Sequence, residues 1–375
     1  MARTHWQPWI AGMFLTACSV TQATAEAPFF VNLGPVPGSG TDSWARAVSG
    51  NGLVAVGDAL GFPGQTPYRW ENGVLATLEG LPDNWTGTTA TAVSSNGSVI
   101  AGHSYPNETM TAFRWEGGNV TCLPDLPSGE TWTAAFGMSA NGNRIVGESC
   151  GVEGWEAVYW QDGTVTGLGD LPGGPYGGSA QACSADGSVI VGWSQSSNGI
   201  EAFRWEDDVM TPLGNLPGGG LESYARDVSA DGSVVVGFGK FGSFYQAFRW
   251  EDGVMAPLGD LPGGTFDSRA TGVSADGSIV VGYSKATGGY APFIWDAQHG
   301  MRNLAELFVS EYGFDLSGWE CLTSAAGISD DGLTIVGVGT YGPVYQRGWL
   351  AHLPEPSSLM LLALSVAVVS AKRRH

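Results

Sequence analysis

Aromatic side chains able to stack on sugar rings recur along this sequence about once every 45 residues. They are Trp44, Trp85, Trp132, Tyr176, Tyr224, Phe266 and Trp319. Polar neighbours such as Asp42, Asn84, Glu222 and Asp267 accompany several of them. Flat rings beside hydrogen-bonding groups are typical of carbohydrate sites, although such rings also fill gaps between structural units. We predict from these seven residues a ligand-binding surface for a glycan or a surface protein.

Side chains suited to catalysis are sparse. His103, His299 and His352 are too scattered to predict a triad or a metal site. Carboxylates are many, but no pair stands out from the repeat, which leaves a polysaccharide hydrolase or lyase as the alternative. The recurrent Ser-Ala-Asp-Gly lacks the alternating acidic ligands of a calcium loop and predicts a turn. We therefore predict no catalytic residue, no metal and no cofactor, and we favour a non-enzymatic binding or structural module.

Charge limits the partners. The chain has 16 Lys and Arg against 36 Asp and Glu. Without Arg3 and the three basic residues of the tail, the balance is 12 against 36, or about −24. Nucleic acids and anionic lipid surfaces are therefore excluded as preferred partners.

A repeat of 45 residues fills the middle of the chain. The tryptophans of the repeat are Trp70, Trp115, Trp160, Trp205, Trp250, Trp295 and, after a longer unit, Trp349. Prolines from Pro37 to Pro262 and glycines from Gly52 to Gly277 keep the same period. Each unit contains four short extended runs separated by Asn-Gly or Asp-Gly turns and Glu-x-Gly turns. This pattern predicts an all-β, seven-bladed propeller of four-stranded blades over residues 28–352, with an open solenoid as the less favoured fold.

The two ends of the repeat array predict how the propeller closes. A lone fourth strand, Phe29 to Leu33, opens the array, and the last unit lacks its fourth strand. Together they complete one blade, which closes the circle. Small residues such as Ala47 and Gly137 mark the innermost strands, and we expect the exception, Asp227, to face water in the channel.

Other features of the repeat have structural interpretations. The seven tryptophans are predicted to be blade core, and Arg69, Arg114, Arg204 and Arg249 to be structural. Asn303 is predicted to cap a short helix over residues 304–312. The tight turns recur almost unchanged on one face of a propeller, whereas the loops of the opposite face vary between units. Varied loops on a regular scaffold usually carry function, so we place the binding site there.

Both chain ends indicate export. Residues 1–25 have the pattern of a signal peptide, with Ala23-Thr24-Ala25 as the cleavage site, and Leu15 to Cys18 also fits a lipoprotein box. At the other end, Ser357 to Ala371 is an uncharged run too short for a standard membrane span, followed by Lys372, Arg373 and Arg374. An ordinary anchor or a transient membrane contact both fit this tail. The remaining cysteines, Cys122, Cys150, Cys183 and Cys321, permit disulfides, but Cys183 is expected to be a buried free thiol.

Two resemblances add to these predictions. Residues 353–375, with Pro354-Glu355-Pro356, an apolar run and a basic end, look like the PEP-CTERM sorting signal of Gram-negative bacteria. That resemblance implies processing by an exosortase-type enzyme near the three residues, export to the cell surface or matrix, and a link to exopolysaccharide. The units resemble HAF repeats of extracellular bacterial proteins through Ala-Phe-x-Trp (Ala202 to Trp205, Ala247 to Trp250) and Leu-Gly-Asp-Leu (Leu168 to Leu171), with Ala in place of the first His. This second resemblance supports fold and location and carries no chemistry.

Overall fold

Each sequence repeat folds into a four-stranded antiparallel sheet, and seven sheets make the predicted propeller. The structure is a computed structural model that describes residues 27–36, 40, 42–61, 64–106, 109–127 and 130–355. Contacts between residues set Pro28–Pro354 apart as one unit. This unit contains all seven sheets and every core cluster of the described residues, so we treat it as the folding unit.

The strands run outward from the centre in chain order within each blade. Blade 1 has β2 (Ser43–Val48), β3 (Val54–Leu60), β4 (Gln65–Glu71) and β5 (Val74–Thr77). Blade 2 has β6 (Thr89–Val93), β7 (Val99–Ser104), β8 (Thr111–Glu116) and β9 (Asn119–Cys122). Blade 3 has β10 (Thr133–Met138), β11 (Ile145–Cys150), β12 (Trp155–Gln161) and β13 (Thr164–Gly167). Blade 4 has β14 (Gly173–Cys183), β15 (Ile190–Ser196), β16 (Gly199–Glu206) and β17 (Val209–Gly214).

The remaining blades follow the same order. Blade 5 has β18 (Ser223–Val228), β19 (Val234–Phe241), β20 (Phe244–Glu251) and β21 (Val254–Gly259). Blade 6 has β22 (Ser268–Val273), β23 (Val280–Ala286), β24 (Gly289–Asp296) and β25 (Gly300–Asn303). Blade 7 has β26 (Trp319–Ile328), β27 (Thr334–Tyr341), β28 (Tyr345–His352) and, as its outer strand, β1 (Phe29–Asn32).

The predicted closure of the circle is confirmed. β1 pairs antiparallel with β28, from Phe29 opposite His352 to Asn32 opposite Trp349. Phe30 packs against Phe308, Phe314, Trp319 and Trp349, with ring centroids 5.6 to 6.2 Å apart. The N-terminal strand is thus held by backbone pairing and by aromatic packing, and the last blade gains its fourth strand.

A second closure lies at the turns between the first and second strands of the blades. A backbone N–H of each turn donates to a carbonyl of the neighbouring turn, at 2.8 to 3.0 Å. Written as donor to acceptor, the seven bonds are Asn51 to Ser95, Ser95 to Ala140, Ala140 to Ala185, Ala185 to Ala230, Ala230 to Ala275, Ala275 to Asp330 and Asp330 to Gly50. We call these seven bonds the turn circle. They tie every blade to both of its neighbours, so the turns on this face are fixed by their partners.

Turns and loops separate onto two faces, as predicted. The first-to-second and third-to-fourth turns form the turn face. The interblade loops and second-to-third loops form the loop face, where they bond each other, as in the Lys240 N–H to the Glu222 carbonyl at 2.7 Å and the Lys285 N–H to the Asp267 carbonyl at 2.8 Å. The segments of the loop face differ more between the repeats than the turns of the opposite face.

The turn residues of the repeat explain why the turn face is constant. In the turn of blade 5, Gly232 has φ of +74°, which a residue with a side chain adopts only with strain. The Asp231 Oδ1 accepts hydrogen bonds from the Ser229 hydroxyl at 2.7 Å and the Ser233 N–H at 3.0 Å. In blades 1 to 3 the amide oxygen of an asparagine, such as Asn51, takes the same place. These turns are therefore Asx turns, and the interpretation of Ser-Ala-Asp-Gly as a turn is confirmed.

The predicted core and helix are present. Trp70, Trp160, Trp205 and Trp349 are buried, and the three other repeat tryptophans are partly buried. The α1 helix (Leu304–Ser310) begins after Asn303, whose side chain accepts from the N–H groups of Ala305 and Glu306. Leu304, Leu307 and Phe308 are buried against blades 6 and 7.

Three of the four predicted structural arginines, Arg69, Arg204 and Arg249, bond to the next blade on the turn face, and Arg114 bonds Glu116 within its own strand. Arg204 and Arg249 each bond a glutamate two residues on, at 2.7 Å, and donate through Nε to the carbonyl of Gly232 or Gly277 in the next blade, at 3.2 Å. All four cysteines of the described residues are free, and Cys183 is the buried thiol that was expected, with a pKa raised to about 12 by burial.

We predict that Phe30→Ala weakens the closure of the circle. The truncation removes four aromatic contacts and should lower the free energy of unfolding by about 2–3 kcal/mol, toward the low end for phenylalanine because Phe30 is only partly buried. Urea unfolding of the Pro28–Pro354 chain measures the change. Phe266→Ala is the matched control, since that ring is 68% exposed. Equal stability of the two variants would contradict a closure role for β1.

We predict that the aspartates of the Asx turns make the fold sensitive to acid. Hydrogen bonds lower the pKa of Asp186 and of Asp231 to about 2, against 3.8, and the largest contributions come from the Ser188 N–H to Asp186 and from the Ser229 hydroxyl to Asp231. Because these pKa values are lower in the folded state, the stabilisation is present above pH 4 and is lost between about pH 4 and pH 2. The double variant Asp186→Asn/Asp231→Asn keeps the acceptor that Asn51 supplies in blade 1, and should lose less thermal stability over that range.

The control for acid sensitivity is Asp162→Asn/Asp252→Asn. It removes the same number of charges at exposed turn positions, where Asn72 stands in blade 1. Thermal unfolding at pH 6 and pH 2.5 measures both pairs. An equal fall in melting temperature for the wild type and the Asx-turn variant would show that these carboxylates do not carry the acid response.

Candidate functional site

The innermost strand of every blade has, at the same position of the repeat, a residue without a partner in the second strand. Each is a β-bulge, where two residues oppose one. The seven bulge residues are Arg46, Thr91, Phe136, Gln181, Arg226, Thr271 and Ala326. All seven line the central channel. The bulge turns one side chain per blade toward the axis. The channel wall therefore contains seven equivalent positions at which the repeat does not fix the residue type.

The bulge residues divide the channel into two cavities. The loop-side cavity, of about 520 Å³, lies where the innermost strands begin and includes Trp44, Phe238, Arg269 and Tyr283. The turn-side cavity, of about 260 Å³, lies between the bulge residues and the turn circle and includes Cys183, Asp227 and Asp330. The larger cavity thus opens on the face whose loops vary, as expected of a binding site.

Charged groups behind the loop-side cavity are already paired or neutral. Arg46 Nε donates to Asp58 Oδ1 at 2.8 Å, and the Asp58 side chain is fully buried. Burial raises the pKa of Asp58, and the ion pair opposes that shift. His103 lies against Tyr105 and Phe136, and burial, followed by the charge of Arg46, lowers the pKa of His103 to about 4. His103 is therefore neutral at physiological pH.

Blades 5 and 6 place tyrosines and acids on the loop face in the same way. The Tyr245 hydroxyl donates to Glu222 Oε2 at 2.9 Å, and the Tyr290 hydroxyl, 45 residues further on, donates to Asp267 Oδ2 at 2.6 Å. Lys240 and Lys285 lie over those two tyrosine rings, at 4.8 and 5.8 Å from the centroids. The repetition holds the loops of these blades firmly at the mouth of the channel.

The structure does not gather the seven predicted aromatic residues into one site. Four of the seven, Trp44, Tyr176, Tyr224 and Trp319, lie in the innermost strands β2, β14, β18 and β26 and not in interblade loops, because those strands extend to the loop face. Trp44 lines the loop-side cavity, whereas Tyr224 stacks on Phe238 at 5.0 Å. Phe266 is exposed, outside the residues that line that cavity.

Trp85, Trp132, Tyr176 and Trp319 lie toward the outside of the loop face. Trp85 packs on Phe113 at 5.6 Å, and Trp319 packs on Phe30 and Tyr341 at 5.8 and 5.4 Å. Trp132 contacts Trp155 edge to face at 6.3 Å. Tyr176 and Trp155 line a separate groove at the rim of blades 3 and 4, with a volume of about 410 Å³. Packing on neighbouring rings, within blade 7 for Trp319, thus accounts for Trp85 and Trp319.

Sequence reasoning missed the bulge residues and the arginines of the channel. The repeat of 45 residues does contain a pattern that marks the bulge residues. The positions equivalent to Ala45 and Ala47 are mostly small, whereas the position between them changes in charge and size from blade to blade. Asp227 was expected to face water. It lines the turn-side cavity, but its carboxylate accepts from the N–H groups of Val228 and Val273, both at 2.9 Å.

The predicted processing site is described only in part. Pro354 is buried and Glu355 is exposed, whereas Pro356, the apolar run and the predicted signal peptide lie outside the described residues. In the part of the chain that the structure describes, no helix is long and apolar enough to span a membrane. The same residues contain no group of three or more His, Cys, Asp or Glu side chains placed to hold a metal ion.

Comparison with known sequences identifies the tail. Residues 353–374 match the PEP-CTERM protein-sorting motif. This motif is recognised by exosortase-type processing enzymes and indicates export and surface association in Gram-negative bacteria. No curated protein matches the chain in sequence.

Solved structures share the propeller architecture at low sequence identity. An oligogalacturonate lyase in complex with manganese is 11% identical, with a TM-score of 0.56 over 90% of this chain and 96% of the other. The oligogalacturonate lyase of Vibrio parahaemolyticus is 10% identical, with a TM-score of 0.53 over 88% and 98%. TolB of Acinetobacter baumannii is 13% identical, with a TM-score of 0.48, and this chain spans 62% of its length. Similarity at this level concerns the fold alone.

We predict that Asp227 makes stability fall as the pH rises. Desolvation by burial raises its pKa to about 7, against the opposing effect of the two N–H donors. The folded state therefore keeps a proton that the unfolded state releases above pH 3.8, and stability is lost between about pH 4 and pH 7. The melting temperature of Asp227→Asn relative to wild type should rise steadily over this range.

The Asp227→Asn variant loses a hydrogen bond at every pH, which shifts its melting temperature by a constant amount. The test is therefore the slope of the difference in melting temperature against pH. Asp227→Ala, with the residue found at Ala47, Ala92 and Ala182 in sister blades, should show the same slope with a different offset. Parallel pH profiles for wild type and both variants would mean that Asp227 does not titrate in this range.

Proposed function

We propose that this protein is an exported, surface-associated binding module whose loop face holds a polysaccharide. The observation that carries the proposal is the loop-side cavity, which opens among the varied loops and is lined by aromatic and hydrogen-bonding side chains from different blades. The PEP-CTERM match supports the surface location. The resemblance of the units to HAF repeats fits the same location.

The sorting steps belong to this proposal. The N-terminal 25 residues direct export, and an exosortase-type enzyme acts near Pro354, Glu355 and Pro356. Every sheet lies within Pro28–Pro354, so the propeller is complete without the tail. The C-terminal segment acts as an address that makes transient membrane contact and is then removed.

A polysaccharide hydrolase or lyase is the weaker candidate. Asp58, His103 and Glu148 stand at equivalent positions of three consecutive blades, so acid–base groups do occur near the cavity. Asp58 is already bonded to Arg46, and His103 is buried among aromatic rings. Catalysis needs two such groups within reach of the same bond, and Asp58 and His103 are instead engaged in the wall.

Binding through the cavity is tested with Trp44→Ala in the Pro28–Pro354 chain. Sister blades have Thr89 and Ala134 at this position, so the fold should tolerate the change. On an immobilised glycan panel the wild type should bind, and the variant should lose about tenfold in affinity through the lost stacking. Phe266→Ala, an exposed ring outside the cavity, should bind as wild type does.

Two results would redirect the proposal. Loss of binding on Phe266→Ala but not on Trp44→Ala would move the site away from the channel. A well-folded chain that binds no glycan would favour a surface protein as ligand or a purely structural role in the matrix.

A further inference from the structure

The basic residues of the propeller are distributed unevenly. Twelve Lys and Arg stand between residues 26 and 355. Six are bonded to a carboxylate at 2.9 Å or less: Arg46, Arg69, Arg114, Arg204, Arg249 and Arg302. The other six, Arg144, Arg226, Lys240, Arg269, Lys285 and Arg347, have no carboxylate that close among the described residues, and two of them, Arg226 and Arg269, line the loop-side cavity.

The wall of the loop-side cavity has a charge opposite to that of the protein. Its described lining includes three arginines, Arg46, Arg226 and Arg269, and no aspartate or glutamate. The chain as a whole carries 36 acidic residues against 16 basic ones. A cavity that is free of acids in so acidic a protein is suited to an anionic group.

The two guanidinium groups without a close carboxylate share one aromatic ring. Arg226, the bulge residue of blade 5, lies 5.3 Å from the centroid of Phe238, and Arg269, from the innermost strand of blade 6, lies 5.0 Å from it. Arg269 is also 4.9 Å from the centroid of Tyr245. The rings fix both groups in place, so little conformational entropy remains to be lost on binding.

Neither arginine has its hydrogen bonds satisfied by an acid. Arg226 Nη1 donates to the neutral Gln181 Oε1 at 2.6 Å. Arg269 Nε is buried without a hydrogen-bond partner, and Asp267 Oδ1 lies 3.8 Å away. Burial, together with the charge of Arg269, lowers the pKa of Arg226. Two like charges with free donors are stabilised by a ligand that brings a negative charge and acceptor oxygens.

We propose that Arg226 and Arg269 bind the carboxylate of an acidic sugar, so that the loop-side cavity selects uronate-containing polysaccharide. This inference rests on the proposed function and names its ligand class. Arginine forks match carboxylate oxygens, and Trp44 and Tyr283 in the same wall offer apolar faces for the sugar ring.

The test compares two ligands that differ only in the carboxylate. A β-1,4-linked glucuronic acid hexasaccharide and cellohexaose have the same backbone, and titration calorimetry with the Pro28–Pro354 chain measures both. Hexamers of mannuronic and galacturonic acid extend the acidic set to other linkages and stereochemistry. At least one acidic hexamer should bind at least tenfold more tightly than cellohexaose, and added salt should reduce that preference.

The variants come from the sister blades, so that folding is retained. Arg226→Thr copies Thr91 and Thr271, and Arg269→Thr copies Thr89. Each should weaken binding of the acidic hexamer by about 10- to 100-fold, as expected for a lost charge-assisted bond, and leave cellohexaose unchanged. Arg249→Gln removes an arginine paired with Glu251 on the turn face and should have no effect.

The outcomes separate this inference from the proposed function. Equal affinity for cellohexaose and all acidic hexamers would overturn carboxylate selection and leave glycan binding in place. An acidic preference that survives in both threonine variants would overturn the assignment to these two arginines. Binding of none of the hexamers would overturn the inference, and the broader glycan panel would then decide the proposed function.

Discussion

Seven strands that converge on one axis impose the constraint on which the rest of the structure depends. Where the innermost strands meet there is almost no room for side chains: a Cβ added to Gly137 would lie 2.6 Å from the Gln181 carbonyl oxygen and 2.9 Å from the Ala182 Cα. Six of the seven blades have Ala or Gly at this position, with Asp227 as the exception, and the strand bulges at the residue before it. The same crowding that fixes the scaffold therefore sends one side chain per blade into the channel.

Closure explains why the two faces differ. On the turn face, the turn circle joins each blade to both neighbours, and arginines such as Arg204 add a second bond across the same boundary. A change in one turn disturbs two blades, which keeps the turn sequence uniform. On the loop face each loop bonds mainly within its own blade or to the adjoining connection, so its length and side chains are free to vary.

Periodicity made the fold predictable from the sequence, and it also limited what could be predicted of the site. Trp70 and its sister residues, Gly232 in its turn, and the lone strand at Phe29 each specify local structure that the structure confirms. The aromatic residues were grouped because they recur about once per repeat, yet they do not share one register. Trp44 reaches the cavity, whereas Trp85 and Trp319 pack against neighbours. The bulge residues share a register but not a residue type, so no recurring side chain marks them in the sequence.

An anionic ligand and an acidic protein are compatible because their charges act over different distances. The carboxylates of the outer surface are screened within about 8 Å at physiological ionic strength. Inside the channel mouth the guanidinium groups of Arg226 and Arg269 lie against aromatic rings, and burial strengthens the local field of a charge. In the proposed binding mode, the outer charge would repel polyanions that lie flat along the surface, and the cavity would accept one acidic sugar that enters it. Such a mode would disfavour nucleic acids, whose affinity depends on many phosphate contacts at once.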